Sequence, residues 1–319
     1  MANNNIKEYA SIIQGNLDKK MVQQSVTGWM ESNAGQVKYS GGRKIKIPKI
    51  AMDGLGNYDK DNGFTGGSIT FEYEEMEMQY DRGRSFSVDS MDVDETGFIL
   101  TAGTVMDTFQ REHVAPEVDA VRLSNLAKIA IEEGQVDYGY KPAKASALDT
   151  LKDAITNIRD KGFSGQLIIH CTYDFKNQVE KGMVGQLSPA TLSLGGIDTQ
   201  IPAVDGCPLI PTDSNKMFTN YTLLDGKTEG QKEGGFKKTS DALSMNFMIV
   251  AHEVPIAVSK TDKLRVFDPD TNQKADSWKA DYRKYHDIWV LDNKKKGIYV
   301  NIKDAKPSGA VSGVTSNEK

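Results

Sequence analysis

The chain has 319 residues, of which 38% are hydrophobic and 29 are glycine, so it can bury a core and is not a disordered polymer. Its 39 lysines and arginines against 44 aspartates and glutamates leave a net charge of −5, which argues against a basic face that reads nucleic acid. No apolar run approaches the ~18 residues of a membrane span; Phe247–Ala251 is typical of the longest.

Length suggests roughly two domains of about 150 residues each. The N-terminal MANNNIKEYAS has no basic region followed by an apolar one, so no secretory signal is expected. Cys171 and Cys207 lack metal or redox spacing, and a reducing, cytosolic place of synthesis is the simpler expectation.

In chain order, Ile6, Tyr9, Ile13, Leu17, Met21, Val22, Val26 and Trp29 fall at helical intervals, interrupted by Gly15 and Gly28, and predict a helical arm. Two extended stretches of opposite charge follow. From Lys38 to Lys49 there are five bases (Lys38, Arg43, Lys44, Lys46, Lys49) and no acid; Ser68–Tyr80 alternates apolar residues with Glu72, Glu74, Glu75 and Glu77. Paired antiparallel, these strands set opposite charges across a ladder, each pair contributing roughly 0.2–1 kcal/mol. The apolar phase flips at Glu74–Glu75, which predicts a β-bulge, and Pro48 predicts an edge strand. The connection Asp53–Gly67 holds five glycines in 15 residues. The sum is a long, glycine-tipped, two-stranded flap, which is marginal in isolation and points to a partner subunit.

Phe98, Ala102, Val105 and Phe109 predict a helix behind an acidic first turn (Asp92, Asp94, Glu95), to be ended or kinked by Pro116. Val118, Val121, Leu126 and Ile129 predict a second helix stopping at Gly134. Leu148, Leu151, Ile155 and Ile158 predict a third, with Ser146 as N-cap and Gly162 beyond its end. Leu167–Cys171 reads as a buried strand and Phe247–Val258 as another. Gly182–Gly235 reads as strands with long loops. Lys263–Phe267, Tyr282–Leu291 and Ile298–Ile302 read as strands, with Asn293–Gly297 a turn and a loose tail from Lys306.

Motifs for chemistry are missing. Asp92–Gly97 has calcium-loop spacing but Gly103 at the twelfth position; Asp268–Gln273 lacks the glycine and has Lys279 there. His113, His170, His252 and His286 form neither HxxxH nor HExxH. His170 and Cys171 are adjacent on a strand and face opposite ways. No GxSxG or Walker loop occurs, and Gly54-x-Gly56 lacks a third glycine. No catalytic residue, cofactor or metal is expected, and the chain is read as not an enzyme.

The order of several segments carries a resemblance. The arm and hairpin, Asp81-Arg-Gly-Arg-Ser-Phe-Ser-Val-Asp89, Met91–Thr96, His113–Asp119, Asp205–Pro211, Asp262–Pro269 and Trp278–Asp287 together resemble tailed-bacteriophage major capsid proteins of the Hong Kong 97-like fold, from about Tyr9 to Ile302. The resemblance implies an α+β fold with an N-terminal arm (1–40), an extended β-hairpin E-loop (41–90), a peripheral domain with a long spine helix (91–146 and 256–305), an axial domain (147–255) and a flexible tail (306–319). It implies self-assembly into hexamers and pentamers, forming an icosahedral head around double-stranded DNA bound without sequence specificity, in the bacterial host cytoplasm and with no membrane. Because the matching region starts almost at Met1, a separate scaffolding protein is expected in place of a cleaved scaffolding segment, with a portal at one vertex. Lys44, Lys46, Glu72, Glu75, Arg82 and Arg84 are expected to carry inter-subunit or hairpin electrostatics, the alternative being solvated faces. Lys60, near the loop tip, could be imagined in the lysine–asparagine cross-link of some members, but no motif marks it. Two other readings stay open: an encapsulin-like shell around protein cargo, and a soluble enzyme with an unmarked acid/base site. The last would be a monomer near 35 kDa.

Overall fold

The structure, a computed structural model, describes residues 25–39, 43–60, 63–89, 105–183, 188–194, 197–272 and 274–307. The arm before Ser25, the first turns of the helix expected from Phe98, the Asp92–Gly97 loop and the tail after 307 lie outside these residues.

A 3-10 segment over Gly28–Gln36 opens the described chain. Strands β1 (Lys38–Tyr39), β2 (Lys44–Met52) and β3 (Ile69–Glu77) form one small sheet in that order. β4 (Tyr80–Asp89) leaves it for a second sheet. Helix α1 (Ala115–Glu132), β5 (Val136–Asp137), α2 (Ala147–Asp160), β6 (Leu167–Thr172), α3 (Tyr173–Gly182), β7 (Ser188–Leu194), β8 (Ile197–Val204) and β9 (Cys207–Thr212) follow. Then come β10 (Tyr221–Leu223), β11 (Phe236–Lys238), β12 (Met245–Ala251), β13 (Pro255–Phe267), β14 (Ser277–Val290) and β15 (Ile298–Ile302).

The main core surrounds a seven-stranded sheet of order β5-β15-β12-β6-β9-β8-β7. β12, β6 and β15 are buried at every position, as expected of strands covered on both faces. Leu151, Ala154, Ile155 and Ile158 of α2, Phe175 and Val179 of α3, and Leu123, Leu126, Ala127 and Ala130 of α1 pack into this core. β15, which the resemblance groups with 256–290, pairs with β12. The long strands β13 and β14 form the other sheet, with β4 on the far side of β14.

Four expectations change. No bulge occurs at Glu74–Glu75: β2 and β3 pair without a break from Lys44–Glu77 to Met52–Ile69, and register shifts fall instead in β13, between Ser259 and Thr261, and in β12, between Met245 and Phe247. Pro48 is not on a simple edge strand. β2 has β1 on its outer side, but only at Lys46 and Ile45, so at Pro48 the missing N–H faces no strand. Pro116 does not end the helix. Backbone helix runs from Val105 through Glu132, with a π turn over Gln110–Val114 in which the Ala115 N–H reaches back to Gln110 O. Widening the turn just before the proline accommodates a residue that has no N–H to give. Phe247–Val258 is two strands: the Val254 N–H bonds to Ala251 O, and the chain turns from the seven-stranded sheet into the β13–β14–β4 sheet.

Helix ends agree more closely. Gly134 and Gly162 take positive φ (69° and 96°) just past α1 and α2. Ser146 sits at the N-cap of α2, but its hydroxyl pairs with Tyr140 Oη at 2.9 Å and caps nothing. α3 was not foreseen. Thr172 caps it by accepting the Phe175 N–H, with Asp174 in the first turn and Lys181 in the last.

Candidate assembly surface

Alternation along β2 and β3 defines two faces of the flap. On one, Ile45, Ile47 and Met76 lie near the base and Lys49, Glu72 and Glu74 farther out. On the other, Lys44, Lys46, Glu75 and Glu77 lie at the base and Pro48, Ile50, Met52, Ile69, Phe71 and Tyr73 farther out. The faces therefore exchange polarity halfway along. At the base, Ile45, Ile47, Met76 and Met78 pack on Ile256, Val258 and Tyr285 of the β13–β14 sheet. Beyond it the apolar residues face solvent: Ile50 and Phe71 are each 55% exposed, Met52 71% and Ile69 73%. Leu55, Tyr58 and Phe64 at the tip are exposed as well, with the Tyr58 and Phe64 rings edge to face at 5.1 Å. The phase flip in the sequence is real; an unbroken ladder expresses it by presenting opposite apolar faces at its two ends.

Of the residues singled out from sequence, Lys46 Nζ lies 2.7 Å from Glu75 Oε1 and Lys44 Nζ 3.9 Å from Glu75 Oε2, across the ladder and mostly exposed. The Lys46 ammonium holds the Glu75 carboxyl below its usual range. Glu72 stands opposite Lys49 in register, yet Lys49 Nζ is 3.1 Å from Glu74 Oε1, the diagonal neighbour. The Glu74 carboxylate raises the Lys49 ammonium. Arg82 and Arg84 are not with them. On β4, the Arg82 guanidinium grips Glu117 of α1 (2.7 and 3.2 Å) and donates to Gly235 O. Arg84 donates to Lys232 O at 3.2 Å. Both arginines bind the β13–β14–β4 sheet to the 224–235 loop. Lys60 is exposed at the tip, beside the Asp59–Gly63 bridge.

A buried polar network was missed. Asp119 of α1, fully buried, accepts from Ser25 Oγ and Thr27 Oγ1 (2.6 Å each), from the Val26 and Thr27 N–H groups, and from Lys216 Nζ at 2.9 Å. Arg122 donates to Thr27 O and, at 2.5 Å, to Glu31. These contacts fix the root of the N-terminal segment to α1. The available signal was an acid and an arginine set within the apolar stripe Val118, Val121, Leu126.

The arrangement is poor in chemistry. Burial lowers His170 to about 4 and pushes the Cys171 thiol up to about 12, so neither is a ready base or nucleophile. Among the described residues no group of three or more His, Cys, Asp or Glu could hold a metal ion, and no helix is long and apolar enough to cross a membrane. A cleft of about 250 Å³ lies between the π turn, β4 and the 224–235 loop, floored by Phe86, Phe109 and Tyr282. The arginines at its edge are already engaged by Glu117 and by loop carbonyls.

No protein-family model and no curated protein matches the sequence. Solved structures do match. The mature capsid of bacteriophage PhiM1 aligns over 83% of this chain and 83% of its own, with a TM-score of 0.51 at 9% identity. The capsid of cyanophage P-SCSP1u aligns over 83% and 84%, at 0.52 and 10%. A Mycobacterium phage Bobi structure aligns over 87% and 91%, at 0.54 and 8%. The chain shares its fold with phage capsids. At such identities it is the path of the backbone that is shared.

Proposed function

We propose that this protein is the major capsid protein of a tailed phage, with the Hong Kong 97-like division into arm, E-loop, peripheral and axial domains at the boundaries given above. Its role is structural: copies join as hexamers and pentamers into an icosahedral head that encloses double-stranded DNA, assembled in the host cytoplasm with a scaffolding protein and a portal. The observation that carries the reading is the outer half of the flap. Ile50, Met52, Ile69 and Phe71 form a continuous exposed apolar face on a ribbon whose base alone is buried against its own chain. Water disfavours such a face, and a two-stranded ribbon does not stand by itself, so a second copy is the natural cover. Binding spread over many modest interfaces needs no catalytic group. Lys44, Lys46 and Glu75, at the polar base of the same face, form the rim of that contact.

The test is electron microscopy and sedimentation of the protein expressed alone and beside the neighbouring structural genes. Capsomers or closed particles are expected, filled with DNA in infected cells. A 35.1 kDa monomer that persists with its scaffold present would end the proposal. Particles holding enzyme and no DNA would assign the shell to protein cargo.

A further inference from the structure

The segment Ser25–Gln36 connects the N-terminal residues to the flap, and a group that titrates holds it down. Trp29, 2% exposed, neighbours two imidazoles. One is His170 of β6, with ring centroids 6.0 Å apart and planes within 16°; the other is His252 of the β12–β13 turn, at 5.4 Å and 27°. The indole N–H donates to His170 Nε2 at 3.3 Å. An imidazole nitrogen accepts only when it carries no proton, so this contact selects the neutral tautomer with hydrogen on Nδ1. Nδ1 is buried and has no partner. A second proton would go on Nε2, setting N–H against N–H and placing a charge on a fully buried side chain.

We propose that the Trp29–His170 contact is an acid-weakened latch: while His170 is neutral it helps dock residues 25–36 on the body of the chain, and its protonation weakens that docking. The surrounding charges do not rescue the imidazolium. Asp119 of α1 attracts it, but Lys216, Ser25 and Thr27 already claim that carboxylate. Arg122, bonded to Thr27 O, adds a cation to the same cluster. The flanking strands β12 and β9 place Met248 and Ile210 beside His170. Lys176 and Glu180 of α3 act on Cys171, which faces the other side of β6. Across the indole, Glu253 favours a proton on half-buried His252, which burial disfavours. Burial holds docked His170 to about 4, against 6.5 for a free imidazole. Docking therefore weakens as pH falls between those values, by at most about 300-fold, the limit in which undocking exposes the ring fully. Asn33, which donates to His252 O and Pro255 O, marks the far end of the docked segment.

The latch acts within one chain and does not depend on the shell-forming role. Hydrogen exchange of the full chain from pH 7.5 to 4.5, corrected for intrinsic exchange rates, tests it. Between pH 7.5 and 4.5 protection of residues 25–36 is expected to fall by up to about 70-fold, while α2 and β12 keep theirs. His170→Gln, whose amide oxygen accepts the indole N–H without titrating, is expected to give a flat profile. If that variant does not fold, Trp29→Phe replaces it: with no donor, protection is expected to be low already at pH 7.5 and independent of pH. A flat wild-type profile, the same fall in the variant, or loss of α2 and β12 protection together with 25–36 would overturn the proposal.

Discussion

Asp287 sits where the flap meets the β13–β14–β4 sheet, accepting the Gln79 and Ile288 N–H groups at 2.9 and 2.8 Å. Burial pushes its carboxyl up to about 6 from 3.8. Its folded value exceeds its unfolded one, so its contribution is full below pH ~4 and is lost as pH rises through ~6, a cost on the order of 1–3 kcal/mol at pH 7.5. Asp287→Asn keeps an acceptor without the charge. It is expected to gain about 1–2 kcal/mol in urea denaturation at pH 7.5 and nothing at pH 4. The adjacent His286 has the opposite sign. Burial, then Arg122, Lys284 and Arg82, hold it well below 6.5, so its stabilisation is present above that value and is lost on acidification. Asp119 is a different case, a buried charge satisfied from five directions. Asp119→Ala leaves Lys216 and the Val26 and Thr27 amides without their acceptor and is expected to cost about 3–5 kcal/mol by chemical denaturation.

The flap shows how one element serves two environments. Its base is part of the fold: Ile45 and Ile47 are buried, and a charge at Ile47 would break the cluster with Val258 and Tyr285. Its outer half is exposed in the single chain. Ile50→Asp with Phe71→Asp is therefore expected to change the stability of the isolated chain by no more than about 0.5 kcal/mol while abolishing capsomers and particles. Sedimentation and denaturation of the same preparation separate the two effects, and particles of normal yield would show that this face is not covered by a neighbour. β4 links the flap to the body, and Gly83 allows it to lie close to β14: a Cβ there would come within 2.8 Å of Tyr282 O.

Across the molecule, α1 packs against both β15 and β14, and polar ties hold other parts to it and to β4: Asp119 of α1 to Lys216, Arg82 of β4 to Glu117 of α1, and Arg82 and Arg84 of β4 to the Gly235 and Lys232 carbonyls of the β10–β11 connection. The flap tip closes on itself at Asp53–Ser68, through the Asp53 N–H to Ser68 O bond and the Ser68 N–H to Asp53 Oδ2 bond. Replacing residues 54–67 by Asn-Gly is expected to leave the circular dichroism spectrum and unfolding midpoint unchanged and to stop capsomers from closing into shells, as read by microscopy.

Local pattern was enough for the charged ladder of the flap, the amphipathic α2 with its terminal glycine, and the strands β6 and β15, because periodicity and charge alternation act between near neighbours in sequence. α3 escaped because only Phe175 and Val179 mark its buried face. Pro116 misled because a π turn upstream absorbs the missing N–H, and the break at His252–Val254 went unread although His252, Glu253 and Pro255 interrupt the apolar run there. The polarity flip at Glu74–Glu75 was legible as a flip; whether it meant a bulge or two opposite faces depended on what lay beneath the base. Ser25, Thr27, Trp29, Asp119, His170 and Lys216 converge from four distant segments. Sequence could supply each as a polar or aromatic residue in an apolar setting. Their meeting is a matter of tertiary packing, since a buried donor or charge has meaning only through the partner that folding brings within hydrogen-bond reach.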